Sequence, residues 1–215
     1  MRIDKHLHLV IPIYADDEFG EVVSYVHSTP LLEEVVDRYF MVLGVTYSTI
    51  FSQGLGLAGG PPHAMRVLKM VATDRGIWFD GPNGPGVESG LMNEIRRTTM
   101  VAALNKSGKW DHLPLPVAID QGVITAEDRT EVENAIVFFI VAYATLGRGQ
   151  RGGVIRVAAE LWGAQVTSSP FTEWSSSLKT STATASSGAR SHAAAKSEPA
   201  PANATVAGKP SRVAF

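Results

Sequence analysis

Apolar and polar positions alternate over residues 5–13, with Leu7, Leu9, Ile11 and Ile13 on one side and His6, His8, Val10 and Pro12 on the other. A period of two is that of a strand with one buried face. After the polar run Asp16-Asp17-Glu18-Phe19-Gly20, the segment Glu21-Val22-Val23-Ser24-Tyr25-Val26-His27 repeats the β-branched and aromatic signature. Together they predict a β-hairpin over about residues 5–28. Pro12 has no N–H to give to a ladder, which suits an edge position or a strand end.

Beyond the hairpin the period changes to that of helices. Thr29 stands where an N-cap belongs, Pro30 fits the first helical position, and Glu33 and Glu34 suit the positive end of the helix dipole. Leu32, Val35, Val36, Tyr39, Leu43, Tyr47 and Ile50 recur at three- and four-residue steps, so a helix is predicted over 30–52, stopped by Gly54, as the central core helix. A second, over 62–74, would bury Met65, Leu68, Val71 and Ala72 and end at Gly76. The Gly- and Pro-rich stretch 78–86 reads as a loop, and a third helix over 87–104 would turn Leu91, Met92, Ile95, Thr99 and Ala102 inward. Leu113-Pro114-Leu115-Pro116 opens a short helical turn ended by Gly122. Thr125 and Asp128 then form a capping box for a helix over 126–146, with Val132, Ile136, Phe139, Ile140 and Tyr143 on one face and Gly147 at its end. A last helix over 153–164 closes the body with Ile155, Ala158, Ala159 and Trp162.

Near Thr167 the chain changes character. Ser, Thr, Ala and Pro dominate the remainder of the chain, and such residues bury too little to offset the entropy of ordering it. The fold class predicted is therefore mainly α: a helical body with an N-terminal β-hairpin over residues 1–166, then a disordered Ser/Thr/Ala-rich tail over 167–215. Phe171, Trp174 and Phe215 are exceptions in the tail, and Phe171 with Trp174, three apart, would make a short docking patch on a partner or on the chain's own body.

Charge adds an exclusion. Lys and Arg total 19 against 21 acids, a net charge of -2 with no basic footprint for nucleic acid. With no cysteine there is no disulfide framework, thiolate metal site or cysteine nucleophile. Arg2, Asp4 and Lys5 stand where a signal peptide would need its apolar core, and the longest apolar run, 135–146, is shorter than the ~18–20 residues of a span. A membrane is thus not an expected partner.

Candidate chemistry is sparse. Gly54-Leu55-Gly56-Leu57-Ala58-Gly59 matches the dinucleotide string G-x-G-x-x-G, with Asp80 downstream as a ribose ligand. That fingerprint needs a strand feeding the first glycine, whereas a long amphipathic helix is expected there. His6 and His8 share a strand side and His27 lies across the hairpin, so three imidazoles would converge if the face bound a metal; a plain polar face is the competing reading. Ser176-Ser177-Leu178-Lys179 fits S-x-x-K but lies in the expected tail, where no site is preorganised. No catalytic, cofactor or metal residue is assigned. Trp78 and Trp110 flank loops, the usual position of interface anchors, and Trp162 reads as core.

The combination of residues 6–13, His27-Ser28-Thr29-Pro30, Val132-Glu133-Asn134-Ala135, Leu161-Trp162-Gly163-Ala164-Gln165 and the Ser/Thr/Ala tail resembles tail assembly chaperones of long-tailed bacteriophages. The resemblance spans most of the body in order and texture. It implies a non-enzymatic protein of the host cell cytoplasm that coats the tape measure protein, a long aggregation-prone helical chain. A longer form made by a minus-one ribosomal frameshift would recruit tail tube protein. Ala207-Gly208-Lys209 is compatible with one slippery heptamer the family uses. Homo-oligomerisation is left open. The alternatives are a structural tail or connector protein retained in the virion and a small metal- or nucleotide-binding enzyme.

Overall fold

The structure is a computed structural model that describes residues 7–15, 20–82 and 84–178. The hairpin is present: β1 (His8–Tyr14) pairs antiparallel with β2 (Val22–Ser28), Val10 opposite His27 and Pro12 opposite Tyr25, with an irregularity after Ile13. Helix α1 (Glu33–Ser52) comes next, with the short α2 (Gly56–Gly59), a 3₁₀ turn Pro61–His63 and α3 (Ala64–Asp74). Helix α1 starts later than expected. Leu32 takes the N-cap position, and Thr29 instead places its hydroxyl 3.3 Å from His8 Nδ1. Gly76 adopts a φ of 65° after α3, letting Ile77 N–H reach the Ala72 carbonyl, so the expected glycine stop is made.

The segment 87–104 is not one helix. A π-helical turn (Val87–Met92) and α4 (Asn93–Arg97) are followed by β3 (Thr99–Leu104). The hydroxyls of Thr98 and Thr99 donate to the Glu94 and Ile95 carbonyls, taking up the groups a further helical turn would have used. Leu91, Met92, Ile95, Thr99 and Ala102 are all buried, but from Thr99 onward the buried side chains alternate across a sheet. Strand β4 (Trp110–Pro114) pairs with β3 and leads into α5 (Leu115–Asp120), the short helical turn that ends at Gly122.

Thr125 and Asp128 form the capping box of α6 (Ala126–Thr145). This helix, not α1, is the most enclosed element: every residue from Ile136 to Ala142 is buried, around its whole circumference. Helix α1 and α3 pack against it. Its two buried polar residues are both engaged. Glu133 Oε1 accepts from Arg96 at 3.0 Å and Arg129 at 3.3 Å, and Asn134 Oδ1 accepts from the Met65 amide at the start of α3. Gly147 does not end α6 with a left-handed glycine; it is the N-cap of α7 (Arg148–Leu161), which begins before the expected position.

The chain then turns at Gly163 into β5 (Gln165–Thr167), which pairs with β1, and into α8 (Phe171–Ser176). The sheet is five-stranded and antiparallel, in the order β4-β3-β2-β1-β5. The expectation of a helical body with a lone hairpin is thus corrected to a helical layer on a five-stranded sheet. The break at Thr167 is corrected as well, because β5 ends there and α8 lies beyond it. Residues 179–215, most of the expected tail, lie outside the described residues.

Close packing around α6 yields a paired test. A Cβ on Gly60 would stand 2.7 Å from Ile50 Cγ2 and 2.8 Å from Phe138 Cε2, whereas one on Gly59 would meet only ordinary contacts, at 3.7 Å, with Leu55. Gly60→Ala is expected to destabilise by about 1–3 kcal/mol in urea denaturation, and Gly59→Ala to be close to neutral.

Candidate functional site

Strand register divides the sheet into two faces. Leu9, Ile13, Val26 and Val101 are buried on the face toward the helical layer. His8, Val10, Pro12, Tyr25, His27, Ala102, Trp110 and His112 share the other. The pattern of residues 5–13 marks this second face as exposed, but His8, Val10 and His27 are buried. The cause is α8. Phe171 packs edge-on to His27 at 5.5 Å and to His112 at 5.0 Å, and Trp174 packs on Tyr25 at 5.4 Å and His27 at 5.5 Å. Tyr25 also meets Trp110 at 5.4 Å. The Phe171 and Trp174 patch therefore docks on the chain's own body.

His27 sits at the centre of this cluster with 0% exposure. Its Nε2 lies 3.2 Å from the Ser169 carbonyl, which assigns the proton to that nitrogen, and its buried Nδ1 has no hydrogen-bond partner. Burial pushes the His27 pKa below the usual histidine value, with hydrogen bonds to the Ser169 carbonyl and to its own backbone acting in the opposite direction. The His8 ring lies 4.9 Å from His27 at a tilt of 36°. His6, the third imidazole of the metal reading, lies outside the described residues. Among those residues, no group of three or more His, Asp or Glu side chains is placed to hold a metal ion.

The remaining motif residues have local structural roles. Gly54 and Gly56, at φ of 75° and 58°, carry the chain from α1 to α2, so the G-x-G-x-x-G string comes after a helix. Asp80 latches the 78–86 loop, accepting from the Gly86 amide at 2.9 Å and from the Ser89 hydroxyl; the Ser89 bond first, and then the amide, hold its carboxyl below the usual range. Tyr39 Oη lies 3.0 Å from the Pro85 and Gly86 carbonyls on the same loop. Ser176 gives its hydroxyl to Glu173 O at 2.7 Å, and Lys179 is outside the described residues, as are Gly208, Lys209 and Phe215. Trp78 is buried beneath Lys69 Nζ, 5.4 Å from its ring, and Trp162 packs edge-on to Phe138 at 5.3 Å. No helix among the described residues is long and apolar enough to cross a membrane.

A second surface is open. Along α1, Phe40 is 48% exposed, Met41 64% and Phe51 36%, with Tyr47 partly buried and its ring 4.6 Å from that of Phe51. Phe40, Tyr47 and Phe51 stand seven and four residues apart, so they share one side of the helix, with Met41 beside them. Glu33, Glu34 and Asp37 are exposed at its N-terminal end. The expected α1 stripe named the buried Tyr39, Leu43 and Ile50 correctly, but it also took in Tyr47, which borders the open side, and Leu32, which is exposed. The signal was available in the sequence: Phe40 and Phe51 lie off the buried arc of Tyr39, Leu43 and Ile50.

Truncating the α8 anchor tests the covered face. Trp174→Ala is expected to cost about 2 kcal/mol, half of a fully buried aromatic truncation because Trp174 is only partly enclosed. Urea denaturation measures the loss, and limited proteolysis of the native chain is expected to leave a fragment that retains Trp174. No protein-family model matches this chain, and no curated protein or solved structure matches it either.

Proposed function

We propose that the chain is a non-enzymatic tail assembly chaperone of a long-tailed bacteriophage. In this reading it holds the tape measure protein in the host cell cytoplasm through the open side of α1. The observation that carries the reading is the row of exposed Phe40, Met41 and Phe51 with the partly buried Tyr47, gathered along one helix. Apolar side chains at helical spacing on a rigid helix suit an amphipathic helical partner, whose own apolar side would otherwise aggregate. The segments that carry the family resemblance support it in a different way: they fall where the body is held together. His27 lies under α8, Asn134 holds the start of α3, and Trp162-Gly163-Ala164 turns the chain from α7 into β5. A longer frameshifted form that recruits tail tube protein belongs to the same proposal, and the nucleotide sequence at Gly208-Lys209 tests it.

A structural tail protein that stays in the virion is favoured by the same row, because a permanent subunit contact also needs an apolar helix side. Mass spectrometry of purified particles separates the two: a chaperone is expected to be absent.

Co-expression with the tape measure protein encoded beside it is expected to raise that protein's soluble yield. Half-exposed Phe40 and Phe51 would each contribute roughly 1 kcal/mol when covered, so Phe40→Ser with Phe51→Ser is expected to weaken holding by about 10- to 100-fold. The double variant should keep the wild-type circular dichroism spectrum. Unchanged soluble yield with the wild-type chain would defeat the proposal.

A further inference from the structure

We infer that the β5–α8 segment is a pH-sensitive strap, held closed over the sheet by neutral His27 and released when that imidazole takes up a second ring proton. The two nitrogens of this ring are placed very differently. Nε2 donates to the Ser169 carbonyl in the segment joining β5 to α8, so this bond ties the strap to β2. Nδ1 is buried without a partner. A proton added there would carry a full charge into a buried site, where the ring's own backbone is the one further hydrogen-bond group that favours it and the cost of burial outweighs it.

The surroundings supply little compensation. From β1 the group beside His27 is His8, another imidazole, 4.9 Å away, which brings no negative charge to balance a cation. On β2 itself the neighbour on this face is Tyr25, and from β4 it is His112, across the Phe171 ring. Strand β3 places Met100 and Ala102 here, and β5 places Gln165 and Thr167, none of them charged. Asp111 on β4 alternates to the opposite face, and Glu173, the carboxylate of α8, is exposed. The Phe171 ring is edge-on and the Trp174 ring tilted to His27, each about 5.5 Å away, whereas releasing the strap offers the imidazole water.

His27 is titrated downward by burial, so the unfolded or opened chain binds more protons than the closed one between about pH 6.5 and the lowered value. Closure is therefore complete above about pH 6.5 and is lost progressively as pH falls through the folded-state value. Opening would free residues 165–178 and uncover His27 and the half-buried Tyr25, adding to the accessible aromatic surface of the sheet.

Hydrogen exchange of the full chain, corrected for the intrinsic pH dependence, measures this directly. Protection of the Gln165–Thr167 and Phe171–Ser176 amides is expected to fall up to about tenfold per pH unit within the window below pH 6.5, one proton being taken up on opening. His27→Phe, which keeps an aromatic ring and removes the titration, is expected to hold the same protection at pH 5 as at pH 7.5, whereas His8→Gln should retain a pH response. Protection independent of pH in the wild-type chain, or an unchanged response in His27→Phe, would overturn the proposal. Should His27→Phe fail to fold, the ring resonances of His27 in the wild-type chain decide: titration below pH 6.5 supports the strap, and titration at or above it refutes it.

Discussion

A sheet of five short strands has two faces to dispose of, and this fold depends on covering both. The helical layer covers one, with α6 crossing behind β1. The other is covered at its centre by α8, whose Phe171 and Trp174 pack on His27, Tyr25 and His112. Because β5 pairs with β1 and α8 packs on β2 through Trp174, the C-terminal part of the body holds the hairpin from both an edge and a face. That cover explains why His27 sits in the interior, at a desolvation cost that favours its neutral imidazole.

The helical side has its own constraint in α6. A helix buried over its whole circumference must satisfy each polar group it carries, and Glu133 and Asn134 do so by joining α4 and α3 to the core. Once α6 is enclosed, α1 is left with a buried side toward it and an open side toward solvent. Phe40, Met41 and Phe51 on that open side add nothing to closing the core, which is why a docking role is assigned to them.

The parts of this architecture legible in the sequence were those whose signal is local. The hairpin, the capping box of Thr125 and Asp128, the Gly76 stop and the span of α3 arise from period, cap chemistry and left-handed glycine within a few residues. The elements that sequence reasoning misassigned have a distant cause. Thr99–Leu104 reads as helix because Leu91, Met92, Ile95, Thr99 and Ala102 fit a helical step, and because Ala102 is buried by the second cover rather than exposed as a strand's alternation requires. The apparent break at Thr167 misled for the same reason. Phe171 and Trp174 are isolated apolar residues in a Ser- and Thr-rich stretch, and only the aromatic sheet face assembled from β2 and β4 makes their ordering favourable. The histidine site was half visible: His8 and His27 do converge, but as a tilted pair under a helix.

Residues beyond Thr167 thus complete the fold of the body, and the cover over His27 and Tyr25 depends on them. Hydrogen–deuterium exchange on chains ending at Leu178 and at Thr167, each compared with the full chain at pH 7.5, tests this most directly. The longer chain should reproduce the protection of His8–Tyr14 and Val22–Ser28, and the shorter one should lose it while α6 stays protected. Equal protection of both strands in the two chains would contradict a completing role for α8.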